Sequence, residues 1–259
     1  MRVNDGVAPV TRRALLWSVA VLPLAAACST PAPAPAPAPA PVAVPAPTTP
    51  PPPVTTRPVA PPTGEVARAS TGRPEIALTF HGAGDEELAR AVLTALHDRG
   101  AAVTVLAVGT WLRQSPDAAK MVTGLGHELG NHTYSHGDVD SMGAASVRTE
   151  IERCRDLISA AIGSPGAFFR PSQAQHATPE VIRLAAAAGY PTVLSYDVDS
   201  KDFTDPGALA IRRNVASARP GSVVSMHLGH PGTLTAIPGL LDDLAGRGLT
   251  PVTATRLFS

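Results

Sequence analysis

The run Ala102-Val103-Thr104-Val105-Leu106-Ala107-Val108 is apolar on both faces, and a helical pattern follows it over residues 110–125. A strand without polar alternation is buried on both sides, which predicts a parallel sheet wrapped by helices. The same pairing of strand-like run and helical pattern recurs along the chain. It is found at 75–80 with 85–99, 127–131 with 147–162, and 167–169 with 179–188. It continues at 192–198 with 206–218 and 222–226 with 233–247, and a last strand covers 250–255. The fold class expected is therefore α/β, a distorted (β/α) barrel of about seven strands over residues 64–259. The alternative is an open doubly wound sheet.

Two segments precede that domain. In residues 1–28, Arg12 and Arg13 lead into an apolar run, 14–27, that is too short to span a bilayer but suits a signal-peptide core. The run ends at Ala25-Ala26-Ala27-Cys28, which resembles a lipobox. The expectation is export to the outer face of the cytoplasmic membrane or the cell envelope, with a lipid anchor on Cys28. Residues 29–63 form a Pro-Ala-rich linker, with 15 of the chain's 28 prolines between 31 and 62, a composition biased to extended polyproline.

Composition removes several function classes. The 259 residues carry a formal net charge of zero and only 4% aromatic residues, so neither a nucleic-acid surface nor a set of stacking platforms is expected. Two cysteines, Cys28 and Cys154, are too few for a disulfide framework or a cysteine-type zinc site, and Cys154 reads as a small buried side chain. A monomer is expected.

Titratable residues gather after the strands, where parallel α/β folds place their chemistry. His81 and Asp85 follow the first strand, His132 and His136 the third, and Arg170 the fourth. Asp197, Asp199 and Asp202 follow the next, and His227 and His230 come after the last full strand. His132 and His136, four apart, suit a shared metal ion. His127 precedes its strand and reads as structural, and His97 as solvated surface.

Read in order, five segments resemble the motifs of the polysaccharide deacetylase family, also called the NodB-homology family. They are Leu78-Thr79-Phe80, the stretch from Glu128 to His136, Phe169-Arg170-Pro171, the stretch from Asp197 to Asp202, and Ser225-Met226-His227. The resemblance implies a distorted barrel that hydrolyses acetyl groups on an acetylated polysaccharide with a divalent metal, usually zinc. It gives His132 and His136 as metal ligands and His227 as the general acid. Arg170 becomes the partner of the catalytic base, and Asp199 and Asp202 become supporting carboxylates.

The first motif departs from the family. Thr79-Phe80-His81-Gly82-Ala83-Gly84-Asp85 stands where the family has Thr-Phe-Asp-Asp-Gly, and Pro171-Ser172-Gln173 lacks the aromatic of the third motif. The preferred expectation makes His81 the third metal ligand and Asp85 the base; a second exchanges those roles. A third reading is an inactive lipoprotein that binds cell-wall glycan. Asp85 also stands where a helix would be capped.

Overall fold

The computed structural model describes residues 62–259. The expected signal segment, the Cys28 anchor and the linker up to residue 61 lie outside the described residues. The chain runs through β1 (Gly64–Val66), β2 (Glu75–Gly82), α1 (Glu86–His97) and β3 (Thr104–Ala107). It continues with α2 (Gly109–Gln114), α3 (Ala118–Gly124), β4 (Glu128–Asn131), α4 (Ala144–Ile162) and β5 (Phe168–Phe169). Then come α5 (Pro179–Ala187), β6 (Thr192–Leu194), β7 (Val198–Asp199) and α6 (Ala208–Val215). The last elements are β8 (Val223–His227), α7 (Pro231–Gly246), β9 (Thr250–Val252) and α8 (Ala254–Leu257).

The strands form one sheet in the order β1-β6-β5-β4-β3-β2-β8-β7, with β9 beside β2. Each of these pairings is parallel. The sheet curls into a half-barrel with helices outside, in keeping with the barrel class expected from the apolar runs. Among the described residues there are nine strands, not about seven, for two reasons. The run 192–198 divides into β6 and β7, and β1 forms by pairing with β6 although it has no apolar run of its own. The helical pattern at 110–125 also divides. Ser115, held extended before Pro116, ends α2, as expected for a residue preceding proline.

The pleat of β2 separates two cores. Successive strand residues face opposite sides, so Ile76, Leu78 and Phe80 pack outward against Val92, Leu93 and Leu96 of α1 and Ile237 and Leu240 of α7. Each such side chain contributes about 1.5–3 kcal/mol on full burial. The alternate residues Ala77, Thr79 and His81 face inward. Register places them beside Val223, Ser225 and His227 of β8, in three layers stacked along the barrel. The bottom layer is apolar, with Ala77 and Val223 against Leu106, Phe168 and Leu194, closed below by Leu257 and Phe258. The middle layer is hydroxylic, and the top layer is histidine.

Buried Cys154 of α4 donates its thiol to Ala107 O at 3.2 Å, and burial pushes its pKa up to about 12. It is the small interior side chain that its place in the helical pattern implied.

Candidate active site

The mouth of the half-barrel collects four imidazoles. His81 ends the inward face of β2, His132 follows β4 directly, His136 lies one tight loop further, and His227 ends β8. The His81 ring centroid is 4.2 Å from that of His132 and 4.3 Å from that of His227, and His132 and His136 are 4.9 Å apart. One ligand-competent atom from each of His81, His132 and His136 lies within 4.8 Å of the others.

The donor set fits a divalent metal. His132 Nδ1 is 3.0 Å from Arg170 O and donates to it, which leaves Nε2 with a free lone pair. That Nε2 is buried with no hydrogen-bond partner among the described residues. A ligating histidine characteristically anchors its other nitrogen on a carbonyl in this way. All three rings are pushed toward the neutral form. Burial holds His81 well below its ordinary value, helped by His132 and Arg170, and it does the same for His132, helped by His136. Burial and His227 lower His136.

Why position 81, and not 82, reaches the cluster follows from the pleat. A Cβ on Gly82 would point outward, 2.8 Å from Val105 Cγ1 and 3.0 Å from the Trp111 ring. Gly82 has no side chain to stand for the second aspartate of the family motif, and the space beside its Cα is filled by Val105 and Trp111.

Asp85 is not brought to the cluster. Its side chain is exposed and accepts the Leu88 N–H at 2.9 Å as the N-cap of α1. The turn before it is set by Gly84, whose Cα-side space is taken by Gly229: an added Cβ would lie 2.6 Å from Gly229 Cα. The loops after β2 and β8 are thereby packed together with Asp85 beyond them.

Arg170 lies beneath His81, fully buried. It donates Nε to Leu194 O at 2.7 Å, and Nη2 to Thr79 Oγ1 at 2.8 Å and to Ser195 O at 3.3 Å. Nη1 has no partner among the described residues, and burial drives the pKa down to about 9. The expected pairing of Arg170 with a carboxylate base is absent, because His81 occupies that place.

His227 carries the hydrogen bonds of a proton carrier. Its Nδ1 meets Asp202 Oδ1 at 2.7 Å and its backbone N–H donates to Asp202 Oδ2 at 2.8 Å. Thr233 Oγ1 also donates to Oδ2, at 2.7 Å. Burial pushes the Asp202 carboxyl up, but the bonds from His227 and Thr233 outweigh it and hold the group below its ordinary value. Asp199 instead accepts Lys201 N at 2.9 Å and pairs with Lys201 Nζ at 2.8 Å.

Of the remaining candidates, Asp197 accepts from Ser222 Oγ and Val223 N at the far end of β8. His230 bonds Asp205 at 3.1 Å. His127 accepts Val103 N at Nδ1 and donates Nε2 to Leu93 O, a structural role.

A cavity of about 440 Å³ opens beside the cluster, bordered by His81, His136 and His227 and by Gln173, Tyr196, Asp199, Lys201 and Phe203. Tyr196 and Phe203 were not legible as site residues beforehand. Phe203 is 45% exposed, with its ring 5.3 Å from that of His227. Their signal in the sequence is that they flank the carboxylate-rich segment, Tyr196 before Asp197 and Phe203 after Asp202.

Residues 68–193 match the family profile described as "Polysaccharide deacetylase". The chain is similar to a chitooligosaccharide deacetylase of Sinorhizobium fredii, 31% identical over 169 residues that cover 64% of this chain and 77% of the relative. It is 29% identical to a peptidoglycan-N-acetylglucosamine deacetylase of Bacillus cereus over 203 residues, covering 76% of this chain and 94% of the relative. In fold it resembles the crystal structure of a CE4 family pseudoenzyme from Bacillus anthracis, with a TM-score of 0.71 at 23% identity over 78% of this chain and 70% of that one.

Proposed function

Because this chain belongs to the polysaccharide deacetylase family, we propose that it is a metal-dependent hydrolase that removes acetyl groups from cell-envelope or related polysaccharide. The observation that carries this reading is the convergence of His81, His132 and His136 on one point, with the unpartnered His132 Nε2 among them. A divalent metal there, zinc by the nature of the ligands, would polarise the acetyl carbonyl and make water nucleophilic near neutral pH.

Proton transfer falls to His227. With Nδ1 committed to ionised Asp202, Nε2 is the ring nitrogen left for proton transfer. That nitrogen would take a proton from the attacking water and hand it to the departing amine or alcohol. Asp85 takes no part in this scheme. Asp202 orients His227, and Asp199 shapes the cavity wall through Lys201. The N-terminal sequence supports export and lipid anchoring at Cys28, with the proline-rich linker as spacer to the polymer.

A second reading, a catalytically silent lipoprotein that binds wall glycan, is favoured by one observation: neither position 81 nor 82 carries the family's aspartate. Metal analysis of the purified protein, paired with acetate release from acetylated chitooligosaccharide, peptidoglycan and xylan, separates the two. Stoichiometric zinc lost in His132→Ala, with acetate released by the parent, supports the hydrolase. Glycan binding without acetate release under any divalent metal supports the silent protein.

A further inference from the structure

The loop bearing two of the three metal-site histidines is backbone-strained. Thr133 and His136 both have positive φ, 65° and 60°, a region that side chains with a Cβ rarely adopt and β-branched threonine least of all. Such a conformation persists only where its surroundings over-determine it.

Three sets of bonds do so here: in the first, Thr133 Oγ1 accepts His136 N at 3.2 Å, and Gly109 N and Thr110 N of α2 donate to Thr133 O and Tyr134 O at 3.0 and 2.8 Å. From the β4 and α4 side, Asn131 Oδ1 accepts Thr133 N at 2.9 Å, and Glu150 Oε2 accepts Tyr134 N at 3.0 Å and Ser135 N at 2.7 Å. From across the mouth, the segment after β5 closes the loop. Thr133 Oγ1 donates to Ser172 Oγ at 3.0 Å, and Ser172 Oγ donates in turn to Gly137 O. Gln173 Nε2 donates to His136 O at 2.9 Å, and Gln173 is itself at φ 57°.

We infer that Gln173, seated by Ser172, is a positioning residue that fixes His136 for the metal. The inference rests on the three-histidine reading above. Its physical basis is that His136 makes the loop's only contribution to the cluster beyond His132, and lies only partly buried. Packing alone does not hold its ring, so the carbonyl grip of Gln173 and the strained φ it supports set the direction in which the imidazole leaves the backbone. Gln173 is exposed and borders the cavity, and one N–H of its amide is directed to this bond.

The test is zinc affinity of the full chain, by competition with a chelating dye, together with the visible spectrum of the Co²⁺-substituted protein. Gln173→Met keeps the length of the side chain and removes the donor; Ser172→Ala removes the relay. Gln173→Met should weaken zinc about tenfold to a hundredfold, as loss of outer contacts to metal ligands does, and alter the cobalt bands. The unfolding midpoint of the metal-free protein should stay at the parent value. Parent-like affinity and spectrum in Gln173→Met overturn the inference while leaving the metal site standing. Weakened zinc accompanied by an equally destabilised metal-free protein also overturns it, since that is general structural damage. A parent that binds neither zinc nor cobalt would remove the metal site itself, and this inference with it.

Discussion

Asp202 accepts both the ring Nδ1–H of His227, at 2.7 Å, and the backbone N–H of the same residue, at 2.8 Å. This double grip fixes the imidazole's tautomer and its direction at once. Asp202→Asn keeps the shape but presents an amide in place of the carboxylate, so the ring loses the acceptor that selects Nδ1–H. Acetate release should fall on the order of 10³-fold or more, while zinc content stays at the parent level. A variant with unimpaired release would show that His227 is not the proton carrier. The carboxyl is held below its ordinary value, so this part of the stability is present at neutral pH and is lost only as pH falls through the lowered value.

Asp85 is bonded to the first turn of α1, where a capping carboxylate is worth about 1 kcal/mol. Asp85→Ala should therefore lower the unfolding free energy by that order and leave zinc and acetate release unchanged. Chemical denaturation and a progress curve on the same preparation suffice. A hundredfold loss of rate at parent stability would restore Asp85 as the base.

The metal-free protein should lose stability in mild acid. His81, His127 and His132 all have lowered pKa values, each chiefly through burial. Above the ordinary value of 6.5 both folded and unfolded chains hold them neutral. Below it the unfolded chain takes up protons that the folded one refuses. Each such histidine steepens the loss by about 1.4 kcal/mol per pH unit until its own folded pKa is reached. Thermal unfolding of chelator-treated protein between pH 7 and 5 should show this decline. His127→Gln should make it shallower without touching the zinc site, and a flat profile would count against the neutral, buried state of these rings.

Much of the fold was readable without coordinates because it rests on local pattern. Runs such as Val103 to Val108 are apolar on both faces, and that alone calls for a parallel sheet with helices on it. The strand ends could be located the same way, and with them His132, His136, Arg170 and His227. Pro116 broke a helix that periodicity alone would have continued, and β1 went unseen because its partner, β6, lies more than 120 residues away.

What the chain order determined, then, is the barrel class, the rim on which chemistry collects and the histidine pair that anchors the proposed metal site. What only the tertiary structure decided is the fate of the divergent first motif. Whether His81, Gly82 or Asp85 turns toward the mouth depends on the pleat of β2 against β8, on the contact of position 82 with Val105 and Trp111, and on the packing of Gly84 against Gly229. Those are contacts between segments up to about 145 residues apart, and local pattern carries no record of them. They aim the imidazole of His81 into the mouth and leave the Asp85 carboxylate capping a helix outside it.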